Sequence, residues 1–255
     1  DTSKVPNTSA TAASSGADLN GMAVQAACET LMGRLKDHLA EHYGVNATEI
    51  SVAEGQVTAP GLSLTWQEMI ASAYQARVSL SATGFYKTPD IAWDRIKGVG
   101  RPFLYFAYGA AVTEVVIDTL TGENRILRCD ILHDCGASLN PALDIGQIEG
   151  GFVQGLGWLT TESLYWDKEG RQRSLGPSTY KIPGSRDAPP DFRLRLLANA
   201  PARAETIFRS KGVGEPPLML ASAVWNAICD ATGLASLDLP ATPERVLMAL
   251  EARRG

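Results

Sequence analysis

The fold class is decided by one stretch in the middle of the chain, Val112-Thr113-Glu114-Val115-Val116-Ile117-Asp118-Thr119-Leu120-Thr121-Gly122-Glu123-Asn124-Arg125-Ile126-Leu127. Two runs rich in β-branched and aromatic residues, Pro102–Asp118 and Arg125–Cys135, flank a turn from Asp118 to Gly122. Runs of this kind around a short turn that contains Asp and Gly are typical of a β-hairpin. The sequence therefore predicts two paired strands here.

Working outward from this hairpin, the helical and strand-like segments fall into separate blocks. Apolar residues at three- and four-residue steps predict helices over Asp18–Tyr43, Trp66–Arg77, Pro141–Trp166, Leu218–Thr232 and Thr242–Arg253. Thr65 and Glu68 form a capping-box pattern at the start of the second helix. Residues 45–61 form short strand-like pieces, Val78–Lys87 alternates as a strand would, and Phe192–Leu197 predicts a further strand. Strands in hairpins and helices in separate blocks predict an α+β fold.

The composition excludes several classes of protein. The 255 residues include 23 Lys+Arg and 28 Asp+Glu, which gives a formal net charge of −5, and 45% of them are hydrophobic. Such a chain can bury a sizeable core, and it is neither a disordered tail nor a basic nucleic-acid arm. No apolar run approaches the ~18 residues of a membrane span, and no signal-peptide pattern opens the chain. Four scattered cysteines without a Cys-x-x-Cys pair favour a reducing, cytoplasmic location over a disulfide framework or a zinc site.

The segment with the most specific chemistry is Lys211-Gly212-Val213-Gly214-Glu215-Pro216-Pro217-Leu218. Its two glycines permit a close backbone approach, and its two prolines fix φ near −65° and favour an extended Glu215. The apolar residues that follow predict a buried helix start, where a carboxylate can serve as a proton acceptor near neutral pH. The alternative is that Glu215 only caps the helix and complements its dipole. The residues alone leave both roles open.

Two other segments have features that suit a ligand. Small residues and hydroxyls between Pro6 and Asp18 directly precede a helix, where free N–H groups suit a phosphate, although an ordinary capped loop has the same composition. Gln147 and Gln154 lie seven residues apart, hence on one helical face with several glycines, and their amides could bind a polar cofactor. Those glycines indicate the close approach of either a ligand or another backbone. Both readings stay open.

Five blocks in this order closely resemble the molybdenum hydroxylase family, in its xanthine dehydrogenase/oxidase branch. The blocks are Val5-Pro6-Asn7-Thr8-Ser9-Ala10-Thr11-Ala12-Ala13-Ser14, Ser81-Ala82-Thr83-Gly84-Phe85-Tyr86, Ser138-Leu139-Asn140-Pro141-Ala142-Leu143-Asp144-Ile145-Gly146-Gln147-Ile148-Glu149-Gly150, Gly176-Pro177-Ser178-Thr179-Tyr180-Lys181-Ile182-Pro183 and Gly212-Val213-Gly214-Glu215-Pro216-Pro217. The resemblance implies that residues 1–255 are the C-terminal portion of the family's α+β molybdopterin-binding domain, as a fragment of a longer chain. Residues 44–64 resemble the family least and are expected to be an insertion.

The resemblance also implies roles for individual residues. Glu215 matches the active-site base, and Ala12 and Ala13 match the paired alanines beside the substrate and the molybdenum centre. The cofactor-binding residues would be Gln147, Ala13, Ser14 and Ser15, the two serines together with the following helix start holding the pterin and its phosphate. No residue of this chain is expected to ligate molybdenum, which is held through the pterin dithiolene.

The activity implied by the resemblance is oxidation of hypoxanthine and xanthine to urate, with water as the oxygen source. Electrons would pass to 2Fe-2S clusters, FAD and NAD in other domains or subunits of an oligomer, with no nucleic-acid or membrane partner. Residues 1–255 alone are expected to be inactive, since the upstream half of the molybdenum-binding portion completes the pocket. The alternatives are a hydroxylase of another N-heterocycle or an aldehyde, and a non-catalytic module for subunit contact.

Overall fold

A computed structural model of the chain describes residues 12–202 and 204–254 and divides into two compact units. The first unit is Gly16–Pro102, and the second contains residues 12–15 and 103–254. Of the helices in the described residues, none has the length and apolar character needed to cross a membrane. Residues 5–11 of the first resemblance block lie outside the described residues.

The Gly16–Pro102 unit combines two helices with short strands. Its elements are α1 (Gly16–Tyr43), a 3₁₀ helix (Ala47–Glu49), β1 (Ser51–Ala53), β2 (Gln56–Ala59), β3 (Leu62–Thr65), α2 (Trp66–Gln75), β4 (Ala92–Asp94) and β5 (Val99–Arg101). β1, β2 and β3 pair in antiparallel order, so the short strands expected from residues 45–61 are confirmed. The capping box is confirmed as well: Glu68 N donates to Thr65 Oγ1 at 3.2 Å, and Thr65 N donates to Glu68 Oε2 at 2.7 Å.

The prediction of a strand at Val78–Lys87 is wrong. All of these residues are described, and none pairs with a strand. The segment packs on α1 instead, because an added Cβ at Gly84 would lie 1.8 Å from the carbonyl oxygen of Ala23. Arg34 Nη1 donates to the carbonyl of Ser81 at 2.8 Å, so a side chain takes the place of a ladder hydrogen bond.

The second unit contains a three-stranded sheet with helices against one face. Its elements are β6 (Gly109–Ile117), β7 (Asn124–His133), α3 (Pro141–Thr160), β8 (Asp191–Leu196), two 3₁₀ helices (Ile207–Arg209 and Pro216–Ala221), α4 (Ser222–Thr232) and α5 (Pro243–Arg254). β6 and β7 form the predicted hairpin, with a register shift between Glu114 and Val115. β8 pairs with β7 in parallel, so the sheet is mixed, and the expectation that all strands lie in hairpins is wrong for β8.

The core of this unit lies between the sheet and helices α3 and α4. Its fully buried side chains include Cys129 of β7, Ile148 and Phe152 of α3, and Val224 and Ile228 of α4. A hydrophobic face on a sheet covered by helices agrees with the predicted α+β class. The 3₁₀ helix Pro216–Ala221 contacts α3 and β6, and its Leu220 lies beside Gly109 and His133, at the end of the sheet where β7 finishes.

Two helix boundaries differ from the sequence prediction. α3 ends at Thr160 instead of Trp166, because the N–H groups of Thr161 and Glu162 both donate to the carbonyl of Gly157 and close the last turn. The helix predicted from Leu218 begins as the 3₁₀ helix, with Leu218 N donating to the carbonyl of Glu215 at 3.0 Å. Pro216 and Pro217 are tolerated at this helix start, because N–H groups in the first turn have no acceptor within the helix.

Candidate active site around Glu215

Three segments that are far apart in the sequence meet at Glu215. Its main-chain N–H donates to the hydroxyl of Ser14 at 2.8 Å, across 201 positions of the chain. Gln147 of α3 approaches the same place, since a Cβ built on Gly214 would lie 3.6 Å from its Nε2 and 2.9 Å from the Ser14 hydroxyl. The structure thus brings together the Glu215 loop, Ser14 and Gln147, which the sequence proposed separately.

The two loop glycines are required by this convergence. A Cβ at Gly212 would lie 2.8 Å from the carbonyl oxygen of Ser14, and one at Gly214 would lie 2.9 Å from its hydroxyl. Cβ atoms do not make contacts this short, so a side chain at Gly212 would displace the main chain of Ser14, and one at Gly214 would displace the hydroxyl that binds Glu215. The close backbone approach predicted for this loop is therefore present.

Glu215 itself differs from the sequence prediction in two respects. It is exposed in this chain, whereas the apolar run after it predicted burial. The buried members of that run, Pro217 and Ala221, face α3, while Glu215 precedes them and does not. Its backbone is helical, with φ −107° and ψ −36°, instead of extended, because its carbonyl accepts the bond that begins the 3₁₀ helix.

The alternative role for Glu215, a helix cap, also finds no support in the geometry. The Glu215 side chain makes no capping hydrogen bond to the 3₁₀ helix that it precedes. By contrast, Glu68 binds the main chain of its own helix start, and Asn140 accepts a capping bond from Leu143 at 3.3 Å. The position of Glu215 therefore leaves its carboxylate available for another partner.

The remaining predicted residues lie in a tight turn that ends at α1. Ala12 and Ala13 are exposed, and both Ala13 and Ser14 have a left-handed φ of 55°. Ser15 closes the turn by donating from its N–H to the carbonyl of Ala12 at 3.2 Å and from its hydroxyl at 2.6 Å. This turn presents two small exposed side chains next to the serine that holds Glu215.

Four of the five glycines of α3 divide into two groups. A Cβ at Gly151 would lie 3.1 Å from Pro217 Cβ, and one at Gly155 would lie 2.3 Å from the carbonyl oxygen of Leu218. These two glycines allow α3 to pack closely on the 3₁₀ helix. At these positions the close approach is therefore that of another backbone, one of the two alternatives that the sequence left open. Gly146 and Gly150 have no atom within 4 Å of an added Cβ among the described residues. They border Gln147 on a part of α3 that is open in this chain.

The sequence reasoning assigned no role to three residues that hold the loop. Gly212 N donates to the hydroxyl of Tyr105 at 2.7 Å. Lys211 forms a buried ion pair with Asp134, the residue directly after β7. Lys211 begins the Glu215 loop. The partners that bind the loop, Asp134 and Tyr105, lie 77 and 107 positions away in the sequence, and no local pattern marks them.

His133, at the end of β7, is buried beside this ion pair. Burial lowers the pKa of its imidazole, the nearby Asp134 carboxylate opposes this, and the Lys211 ammonium adds to it. Its Nδ1 atom has no hydrogen-bond partner among the described residues. His133 is therefore neutral at pH 7.

The comparisons with known proteins agree with this fold. The sequence pattern of the molybdopterin cofactor-binding domain family matches residues 1–189. This is well over half of the chain, which therefore belongs to the molybdopterin cofactor-binding domain family. The predicted α+β class, the resemblance to molybdenum hydroxylases and the molybdenum–molybdopterin cofactor are thereby confirmed.

Particular proteins of this kind are similar to almost the whole chain. Xanthine dehydrogenase/oxidase of Mus musculus is 46% identical, over 96% of this chain and 18% of its own length. Aldehyde oxidase 2 of Macaca fascicularis is 45% identical, over 99% of this chain and 18% of its own length. The crystal structure of quinoline 2-oxidoreductase from Pseudomonas putida 86 superimposes with a TM-score of 0.80, at 26% identity, over 94% of this chain and 30% of that one. The chain spans less than a fifth of the length of the xanthine dehydrogenase/oxidase and of the aldehyde oxidase.

The residues around Glu215 fit a polar, phosphorylated cofactor. The carboxamide of Gln147 carries two N–H donors, and the Ser14 hydroxyl, which accepts from Glu215 N, retains a proton to donate. Small or absent side chains at Ala12, Ala13 and Gly146 leave room at this surface. Hydrogen-bond donors around an open space are the complement of the oxygen-rich cofactor.

Proposed function

We propose that this chain carries the active-site base of a purine-oxidising molybdenum hydroxylase, which converts hypoxanthine and xanthine to urate with water as the oxygen source. The 46% identity to a xanthine dehydrogenase/oxidase over 96% of the chain supports this substrate class. The observation that carries the proposal is the geometry of Glu215: its main chain is fixed by Ser14, and its carboxylate has no capping bond. A held but unengaged carboxylate is what a general base requires.

The role of this chain in catalysis is to hold Glu215 where a proton must be removed. The bound molybdenum cofactor supplies the two-electron oxidation and activates water. A carboxylate oxygen of Glu215 accepts a proton as the substrate carbon is hydroxylated. Pro216 and Pro217 fix the backbone on one side of the carboxylate, and the Ser14 bond fixes it on the other. The group therefore needs little reorganisation when the proton moves.

The other predicted residues complete the proposed site. Gln147, Ala13, Ser14 and Ser15 bind the cofactor, and the small Ala12 and Ala13 side chains give a flat purine access to it. Electrons then pass to 2Fe-2S clusters, FAD and NAD, carried by other parts or subunits of an oligomeric enzyme. The upstream half of the molybdenum-binding portion completes the pocket. The four cysteines of this chain are free thiols, which supports a cytoplasmic location.

The test is the Glu215→Gln variant of the complete, cofactor-loaded enzyme. Gln keeps the shape of the side chain but cannot accept a proton at neutral pH. We expect the limiting rate of enzyme reduction by xanthine to fall by about 10²–10⁴-fold, while the molybdenum content and the thermal midpoint stay at wild-type values. Stopped-flow spectroscopy under anaerobic conditions measures the rate without the later electron-transfer steps.

The matched control is Glu244→Gln, because Glu244 is an acidic residue in the first turn of α5. It should leave the rate unchanged, since it removes only a favourable charge at a helix start. A Glu215→Gln enzyme that xanthine reduces at a rate within about tenfold of wild type would show that Glu215 is not the base.

A second substrate class is favoured by the similarity to an aldehyde oxidase at 45% identity, almost equal to that of the xanthine enzymes. The proposal of a purine substrate predicts that xanthine and hypoxanthine reduce the enzyme with a higher kcat/KM than an aromatic aldehyde or quinoline does. If the order of the kcat/KM values is the opposite, the enzyme is an aldehyde or N-heterocycle hydroxylase, and the role proposed for Glu215 is unchanged. If none of these compounds reduces the cofactor-loaded enzyme, the non-catalytic subunit-contact role applies.

A further inference from the structure

The residue at the start of the Glu215 loop sends its side chain into the protein. The Lys211 side chain is 10% exposed and forms an ion pair with the carboxylate of Asp134, which is 7% exposed. The same ammonium donates to the carbonyl of Phe106 at 2.9 Å and lies 5.4 Å from the centre of the Tyr108 ring. Lys211 is therefore held by groups of the β6–β7 sheet region and not by the loop that it begins.

Asp134 is itself fixed on both sides. It follows β7 directly, and its N–H donates to the carbonyl of Tyr108 at 2.8 Å. Its second carboxylate oxygen accepts the N–H of Gly136 at 2.9 Å. Between these groups, Lys211 N donates to the carbonyl of Cys135 at 2.8 Å. Both the main chain and the side chain of Lys211 thus bind the same short turn after β7.

The geometry points to a positioning role: the Lys211–Asp134 ion pair fixes the orientation of the Glu215 loop, and so the place of the Glu215 carboxylate. This inference rests on the proposed role of Glu215 as the base. Only three residues separate Lys211 from Glu215, and two of them are glycines, whose backbone is the most free to rotate. A loop of this kind holds a carboxylate in place only if both of its ends are fixed. Lys211 fixes one end and Ser14 the other.

A purely structural explanation of the pair is weaker on physical grounds. Removing two charges from water is costly, and well-packed apolar residues of similar size are often as stabilising as a buried ion pair. An ion pair, however, sets a direction as well as a contact, because the ammonium must point at its acceptors. That property suits a loop whose geometry matters more than its stability.

The test compares Lys211→Met, Asp134→Asn and the double variant in the complete cofactor-loaded enzyme. We expect each to lower the limiting rate of reduction by xanthine about 10²-fold, the loss associated with a misplacement of about 1 Å, while the dissociation constant of xanthine changes by less than about threefold. The double variant should be no slower than the slower single variant, because the two residues act as one unit. It also removes both charges, so it leaves no unpaired charge to prevent folding.

A readout that is independent of catalysis is amide hydrogen exchange in the peptide that covers residues 212–215. Exchange there should speed up by at least about tenfold in the double variant. The control is Ile228→Ala in the core of α4, which lowers the thermal midpoint through a cavity but should leave both the loop exchange and the limiting rate at wild-type values.

The Glu215→Gln variant, measured in parallel, separates this inference from the proposed function. If Glu215→Gln is slow while the double variant keeps the wild-type rate, the positioning role is wrong and the base assignment stands. Faster loop exchange without a loss of rate overturns the positioning role as well. If Glu215→Gln itself retains the wild-type rate, the proposed function fails, and with it the inference that depends on it.

Discussion

The close contact between α3 and the 3₁₀ helix allows a quantitative prediction for Gly155→Ala. A Cβ at Gly155 would lie 2.3 Å from the carbonyl oxygen of Leu218 and 2.8 Å from Ala221 Cβ, whereas ordinary contacts begin at 3.4 Å. The carbonyl oxygen of Leu218 belongs to the main chain and cannot rotate away. The two helices must therefore separate by about 1 Å at this point.

The magnitude follows from two opposing terms. Forcing an extra methyl into a packed interface costs about 1–3 kcal/mol, and alanine returns up to ~1 kcal/mol through its better helix propensity. Because the clash is with main-chain atoms, we expect a net loss of about 1–2 kcal/mol. The 3₁₀ helix carries Glu215 at its start, so the same shift should slow the proposed reaction by up to about 10²-fold.

Two measurements on the complete enzyme check this prediction: the thermal midpoint and the limiting rate of reduction by xanthine. The matched control is Gly33→Ala in α1, where an added Cβ meets no atom of the described residues within 4 Å. That substitution should leave the rate unchanged and raise the midpoint, since exposed helical glycine is less favourable than alanine by about 1 kcal/mol. A Gly155→Ala enzyme with the midpoint and rate of the wild type would refute the tight-packing account of this glycine.

Two further predictions concern the cofactor and pH. Gln147→Ala should weaken cofactor binding or transition-state stabilisation by about 1–3 kcal/mol through lost hydrogen bonds, as measured by metal analysis and steady-state rates. Unchanged molybdenum content and rates would leave Gln147 a surface residue of α3. The pKa of His133 is lowered by burial in the folded state, so the unfolded chain takes up its proton first as the pH falls below the ordinary value of 6.5. The free energy of unfolding should therefore decrease with falling pH in that window, and the His133→Leu variant should show a shallower decrease in thermal melts from pH 7 to 5. Equal slopes in the two proteins would contradict this.

The features that the sequence predicted correctly are those fixed by neighbouring residues. The Asp118 to Gly122 turn specifies the β6–β7 hairpin because the turn and both strands lie within one continuous segment. The capping box at Thr65 and Glu68 is a pattern of four residues, and the structure contains both of its hydrogen bonds. Local chemistry was sufficient in these places.

Errors occurred where a distant contact outweighs the local pattern. Val78–Lys87 alternates like a strand, but α1 supplies both its packing surface and a hydrogen-bond donor, Arg34. The sequence predicts β8 as a strand, but nothing in its own residues indicates that it pairs in parallel with β7. The apolar run after Glu215 predicted a buried carboxylate, because hydrophobic periodicity describes a helix and does not place the residue that precedes it.

The candidate site shows the same limit more sharply. The residues of the chain single out Glu215 and Gln147, and the family resemblance implies their roles, whereas Tyr105 and Asp134 carry no local signal at all. Their partners in the loop are 107 and 77 positions away. A single sequence cannot reveal such pairs, since hydrogen-bonding residues are common and their spacing is free.

The departures from ordinary stability rules cluster on the two flanks of Glu215. On one side, Gly151 and Gly155 interrupt a helix interior, at a cost of up to ~1 kcal/mol each, and allow the 3₁₀ helix to pack closely. On the other side, Lys211 and Asp134 bury a pair of charges that apolar residues would replace without loss of stability. Each feature alone has a structural explanation, but both act on the same short segment. Sequences break local rules at functional sites, and the proposed role of Glu215 as the base would account for both departures.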